Sequence, residues 1–233
     1  MDALKEMEEV DFDPRLQSPF TMLIAGPTSC GKSFLVFNII AQIKALVTPE
    51  VHSITYCYSQ WQPIFKKMEE LGVKFNKGMP TREELFDEKR DTTKHSLLVI
   101  DDLLEPEYAP LARDLFIKGS HHMNMNVIFI TQNLFFANKD FRTLSLNAHY
   151  LIVFKNPRDM SQISYISRQA FPAHPSFLTE VYNNETQKKH SYIVLDCKQS
   201  TPDKLRVRNS VTTPWNTTVF VANKNKNKTT KIR

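Results

Sequence analysis

The sequence predicts an α/β fold, a mainly parallel sheet covered by helices, and three observations carry that expectation. Short apolar runs rich in β-branched and aromatic residues recur along the chain, as strands buried on both faces require. Segments with helical spacing alternate with them, giving the strand–helix–strand repeat of a parallel sheet. At the first such junction stands Gly26-Pro27-Thr28-Ser29-Cys30-Gly31-Lys32-Ser33, a complete G-x-x-x-x-G-K-[ST] phosphate loop.

Taken in order, strands are expected at 20–25, 53–58, 96–100, 127–131, 150–154 and 192–195, with 205–208 as an edge strand. Helices are expected at 34–46, 61–71, 108–118 and 160–169. The stretch 72–93 is charged, holds Gly72, Gly78 and Pro80, and reads as an exposed insertion with one short helix. Residues 1–19 form an acidic N-terminal extension, 20–210 the phosphate-loop domain, and 211–233 a basic, disordered tail.

Each part of the loop has a physical task. Gly26 and Gly31 let the backbone wrap a phosphate chain so that successive N–H groups point at its oxygens. The helix that follows presents its unsatisfied N–H groups to the same anion. Lys32 supplies a point charge for the β/γ-phosphates, and the Ser33 hydroxyl a ligand for Mg²⁺. The ligand expected here is a nucleoside triphosphate.

Two further runs carry chemistry. Leu97-Leu98-Val99-Ile100 ends in Asp101-Asp102, which puts paired carboxylates at the carboxyl end of a buried strand, where α/β folds bind ligands. Asp101 is expected behind the Mg²⁺, and Asp102 where it orients or deprotonates an attacking water. Val127-Ile128-Phe129-Ile130 ends in Thr131-Gln132-Asn133, and Gln132 is expected to reach the γ-phosphate or that water. Cys30 has two open readings: its place close to a helix N-terminus and Lys32 favours thiolate, while a small buried filler is the alternative. His121 and His122 lack partners at metal-ligand spacing and read as loop residues. Asn147 and Asn156 read as turn residues, and Phe135 and Phe136 as packing.

Composition narrows the classes. The three cysteines, Cys30, Cys57 and Cys197, lie far apart, so neither a disulfide framework nor a zinc site is indicated. Asp2, Glu6, Glu8, Glu9, Asp11 and Asp13 open the chain, the opposite of a targeting segment. The longest apolar runs fall short of a membrane span, and the expectation is a soluble, intracellular protein without a membrane partner. Eight Lys/Arg and no acid follow Asp203, which leaves −3 for the rest of a chain whose total is +5. A solvated, solubilising end and contact with nucleic acid phosphate are both open for that stretch.

The combination has a further reading. The phosphate loop, Asp101-Asp102, Ser120-His121-His122, Thr131-Gln132-Asn133-Leu134-Phe135, Arg142 to Ala148 and Phe154-Lys155-Asn156-Pro157-Arg158-Asp159 occur in one order between about residues 20 and 172. In this they resemble the genome-packaging ATPases of poxvirus-type double-stranded DNA viruses and Polinton elements, which belong to the FtsK–HerA group of P-loop motors. The resemblance implies a RecA-like (ASCE) P-loop NTPase fold. It also implies a homo-oligomeric, hexameric ring that hydrolyses ATP with Mg²⁺ to drive double-stranded DNA into a capsid, with a capsid or portal-vertex protein as partner. It implies a place inside a host cell, nucleus or cytoplasm, with association with the virion. By motif, Lys32, Ser33 and Asp101 carry over as phosphate and metal residues and Gln132 as the polar sensor. Asp102 stands where many members have Glu. A neighbouring subunit's arginine completes such sites; Arg113, Arg142 and Arg158 are the candidates, with Arg142 first. A cellular-type DNA motor and a nucleotide-gated virion assembly or structural protein are the alternatives. The intact acid pair and Gln132 speak against the second.

Overall fold

The computed structural model describes residues 13–86, 91–119, 123–222 and 230–232. Its strands are β1 (Leu16–Gln17), β2 (Thr21–Ala25), β3 (Val47–Thr48), β4 (Val51–Tyr58), β5 (Lys74–Lys77), β6 (His95–Asp101), β7 (Met125–Thr131), β8 (Tyr150–Phe154), β9 (Tyr192–Asp196), β10 (Val207–Arg208), β11 (Val219–Val221) and β12 (Thr230–Ile232). Helices are α1 (Lys32–Ala41), α2 (Ile43–Leu46), α3 (Phe65–Glu69), α4 (Arg82–Leu85), α5 (Ala109–Asp114), α6 (Lys139–Asn147), α7 (Ser161–Ala170) and α8 (Phe177–Glu185).

Ten strands join in the order β12-β11-β10-β9-β8-β2-β7-β6-β4-β5, and β1 pairs with β3 apart from them. From β8 to β5 every pairing is parallel; from β9 outward every pairing is antiparallel. All five residues of β2 and all seven of β7 are buried, because helices cover both faces. On one face Leu23, Leu98, Ile100, Val127 and Phe129 pack under α5 to α8 through Ala112, Leu144, Ile163 and Val181. On the other, Met22, Ile24, Val99, Ile128 and Ile130 pack under α1 and α3 through Val36, Ile39, Phe65 and Met68. The strand carrying the phosphate loop, β2, is separated from the strand ending in the acids, β6, by β7 alone. This is the RecA-like arrangement of an α/β P-loop fold.

Several expectations are corrected. The insertion at 72–93 contains β5, whose Lys-Phe-Asn-Lys sequence offers one apolar residue and no run to read; its short helix is α4, opened by a capping box between Thr81 and Glu84. Helix 34–46 is divided at Gln42, and helix 61–71 shrinks to α3 beyond Pro63. Helix α6 carries few apolar residues and escapes a reading based on periodicity, whereas α8 sets Phe177, Leu178, Val181 and Tyr182 at helical spacing and is an addition to the helices expected. Strand β10 is paired on both sides and is no edge.

The basic tail does not begin at 211. Val211 and Phe220 are buried, and β11 and β12 extend the sheet, with Val219 opposite Ile232. Two cations of the basic stretch that follows Asp203 serve the fold. Arg208, 2 % exposed, pairs with Asp196 at 3.2 Å and donates to the Pro14 carbonyl at 2.8 Å, tying residues before β2 to the sheet. Breaking such a buried pair costs about 3–5 kcal/mol. Arg206 bonds Asp203 and the carbonyls of Asp196 and Lys198. Of the other cations in that stretch, Lys224, Lys226, Lys228 and Arg233 lie outside the described residues, as does most of the acidic extension.

Candidate active site

Register brings the motif residues together. Ala25 pairs with Thr131 and Asp101 with Ile130, so β2, β7 and β6 end side by side. The Gly26 N–H then donates to Thr131 O (3.2 Å) and the Asp102 N–H to Ile130 O (3.1 Å), which fixes the first residue beyond each strand.

The loop is built as a cradle. A Cβ on Gly26 would stand 2.6 Å from Phe154 Cβ and 2.8 Å from Cys30 Sγ, so only glycine fits this close approach. Gly31 caps α1 at φ 110°, a left-handed conformation that turns the chain into the helix. Lys32 folds over the loop, donating from Nζ to Gly26 O (2.6 Å) and Pro27 O (3.0 Å). An ammonium has three donors, so one remains for a phosphate oxygen.

The acids occupy different environments. Asp101 is buried, and its Oδ2 accepts from Tyr56 Oη (2.7 Å) and Gln62 Nε2 (3.3 Å). Burial pushes its carboxyl above the ordinary range and the Asp102 charge adds to this; Tyr56, Lys32 and Gln62 pull the other way. Asp102 has a left-handed backbone (φ 55°). Its Oδ2 accepts from Gln132 Nε2 (3.2 Å), while Oδ1 is buried with no partner among the described residues.

A cleft of about 700 Å³ joins these parts. Thr28, Ser29, Gly31, Lys32 and Ser33 line it from the loop, Asp101, Asp102 and Gln132 from the strand ends, and Ser59, Gln60 and Gln62 from the segment after β4. The donor set suits Mg²⁺, which characteristically takes one or two protein oxygens and completes its shell with water and substrate phosphates. Ser33 and Asp101 are the residues that would supply those oxygens.

Of its two readings, Cys30 takes that of a buried filler and not that of a thiolate. Burial raises its thiol above the ordinary range and outweighs Lys32 and the backbone N–H groups, which act in the opposite sense. Arg142 is not in the cleft. It is exposed on α6 and lines a separate groove of about 490 Å³ with Leu134, Phe135, Tyr165 and Arg168. Arg113 is held by Asp114 (3.0 Å) and Asp140 (2.8 Å). Arg142 and Arg158 are exposed, with no side-chain partner among the described residues. Asn156 serves a turn, accepting from the Arg158 N–H (3.2 Å), whereas Asn147 closes α6 through Thr143 O (2.8 Å). Phe135 packs edge-on against Tyr165, and Phe136 against Phe141. His121 and His122 lie outside the described residues.

Three residues at the site escape a reading of the sequence. Tyr56 looks like any strand aromatic, and Gln62 sits in an undistinguished Gln-rich segment. His190, 160 positions from the loop, bonds Cys30 O through Nδ1 at 3.0 Å. Sequence offers no signal for such a long-range contact.

Fold and site together define an α/β P-loop protein with its acid pair and polar strand tip on one cleft. No protein-family model matches the chain, and no curated protein matches it in sequence. Among solved structures the backbone is similar to the genome packaging NTPase B204 of Sulfolobus turreted icosahedral virus 2 (13% identity, 81% of this chain and 95% of that one, TM-score 0.49). It is also similar to the cytoplasmic domain of the type VII secretion ATPase EccC of Thermomonospora curvata (13% identity, 78% of this chain and 24% of that one, TM-score 0.49). A third likeness is to the flagellar accessory protein FlaH of Methanocaldococcus jannaschii (13% identity, 98% of this chain and 97% of that one, TM-score 0.41). At such identities the likeness is one of backbone course.

Proposed function

We propose that the chain is an Mg²⁺-dependent ATPase that works as a homo-oligomeric ring and translocates double-stranded DNA into a viral capsid. The observation that supports ATP hydrolysis is the meeting of the phosphate loop, Asp101, Asp102 and Gln132 on one cleft. The ordered motifs shared with packaging ATPases support DNA as the cargo, a capsid or portal-vertex protein as the partner and the host cell as the setting.

The residues divide the work. Loop N–H groups and the free donor of Lys32 hold the phosphates and disperse their charge. Ser33 and Asp101 hold Mg²⁺, which when bound neutralises phosphate charge. Gln132 fixes Asp102 through Oδ2, and the Asp102 carboxylate, lining the cleft, is the group that accepts a proton from water. Arg142, exposed and outside its own cleft, is offered to the site of a neighbouring subunit; an arginine in that role contributes about 10³–10⁵ in rate. Arg113 is already committed to two carboxylates, which argues against it as the finger.

The test is ATP turnover by the purified chain with and without double-stranded DNA at graded salt. The proposal expects stimulation by DNA that fades as salt rises. Turnover indifferent to DNA at every salt concentration would leave an ATPase without this cargo.

A further inference from the structure

Tyr56 is completely buried, its ring packed against Phe65 (centroids 4.8 Å) and Phe75 (5.4 Å). A phenol in such surroundings needs a partner for its O–H. Strand register supplies one. Tyr56 pairs with Val99, and Asp101 lies two residues further along β6, so both side chains leave the same face of the sheet. The result is the 2.7 Å bond to Asp101 Oδ2, to which Gln62 adds its own at 3.3 Å. One phenolic group, aided by one amide, therefore holds a single oxygen of the carboxylate at the end of β6.

We propose that Tyr56, assisted by Gln62, is a positioning residue for the cation site: it holds Oδ2 of Asp101 so that Oδ1 is the oxygen left for Mg²⁺ and its water. This rests on the Mg²⁺–ATP reading above. A buried carboxylate without these donors loses both its orientation and the bonds that satisfy it. Tyr56 does not touch the nucleotide; it acts through Asp101. Outer partners of metal ligands characteristically contribute about 10–100-fold in metal affinity.

The experiment uses the full chain, a fluorescent ATP analogue as probe, and magnesium chloride as titrant, with thermal melting alongside. Tyr56→Phe keeps the ring in its aromatic packing. It is expected to bind the analogue in EDTA as the unaltered chain does, while the Mg²⁺ concentration for half-maximal tightening rises about 10–100-fold. Gln62→Ala, at a half-buried position, is expected to shift the same midpoint in the same direction by less. It reads the same quantity should Tyr56→Phe melt below the assay temperature. An unchanged Mg²⁺ midpoint in the folded variants overturns the proposal. So does an equal loss of binding with and without Mg²⁺, which would mark a general structural role. Failure of the unaltered chain to bind the analogue at all would instead sink the ATP reading. Binding by every protein with one common Mg²⁺ midpoint sinks only the role of Tyr56.

Discussion

Gln132 donates to Oδ2 of Asp102 at 3.2 Å while Oδ1 of the same carboxylate is buried without a partner among the described residues. One oxygen is anchored and the other keeps its lone pairs. Asp102→Asn is compatible with the left-handed backbone at φ 55°, which Asn adopts as readily as Asp. The variant is expected to bind ATP normally and to release phosphate at least about a hundredfold more slowly, as loss of a general base dictates. Single-turnover phosphate release checks this, and an unchanged rate would remove Asp102 from the catalytic set.

Gly26→Ala tests the cradle. The new methyl would meet Phe154 Cβ at 2.6 Å, an atom fixed to the β8 backbone that cannot swing aside. Overpacking of this kind costs about 1–3 kcal/mol, and the displaced loop should lose nucleotide affinity as well. A melting curve and a nucleotide titration identical to those of the unaltered chain would contradict the packing argument.

Cys30 is expected to be a slow nucleophile. Its thiol is raised, chiefly by burial, so the thiolate fraction at neutral pH lies below that of free cysteine and grows only as pH rises past the ordinary thiol range. Peptide-resolved alkylation should be slower than for free cysteine at pH 7, accelerate into the alkaline range, and slow further with ATP. Faster alkylation than free cysteine at pH 7 would restore the thiolate reading of the bare sequence.

The two arginines of α5 and α6 should separate by phenotype. Arg113 joins those helices through Asp114 and Asp140, so Arg113→Ala should lower the melting temperature. Arg142→Ala should leave melting and single-chain nucleotide binding unchanged, yet reduce turnover of the proposed ring by about 10³-fold or more. Normal ring turnover in Arg142→Ala transfers the role to Arg158.

The parallel centre of the fold was legible because β2, β6, β7 and β8 are continuous apolar runs that no other structure explains. The edges were not. Strand β5 has a single apolar residue in four, β11 only three residues, and α6 turns little but Phe141 and Leu144 inward. The motif residues on β2, β6 and β7 could be read because strand ends in a parallel sheet line up. Tyr56, Gln62 and His190 could not, since their roles arise from pairing and packing across 39 to 160 positions of sequence. Cys30 was left between two readings because sequence shows the nearby charge but not the burial that outweighs it.

The most direct test of the central claim is steady-state phosphate release from Mg²⁺–ATP by the unaltered chain and by Lys32→Ala. Lys32 spends two donors on Gly26 and Pro27 carbonyls and offers the third to phosphate, so its removal takes away both loop bonds and the counter-charge. The account predicts measurable turnover that Lys32→Ala abolishes. Turnover that persists undiminished in Lys32→Ala, or its absence from the unaltered chain in the presence of DNA, would contradict it.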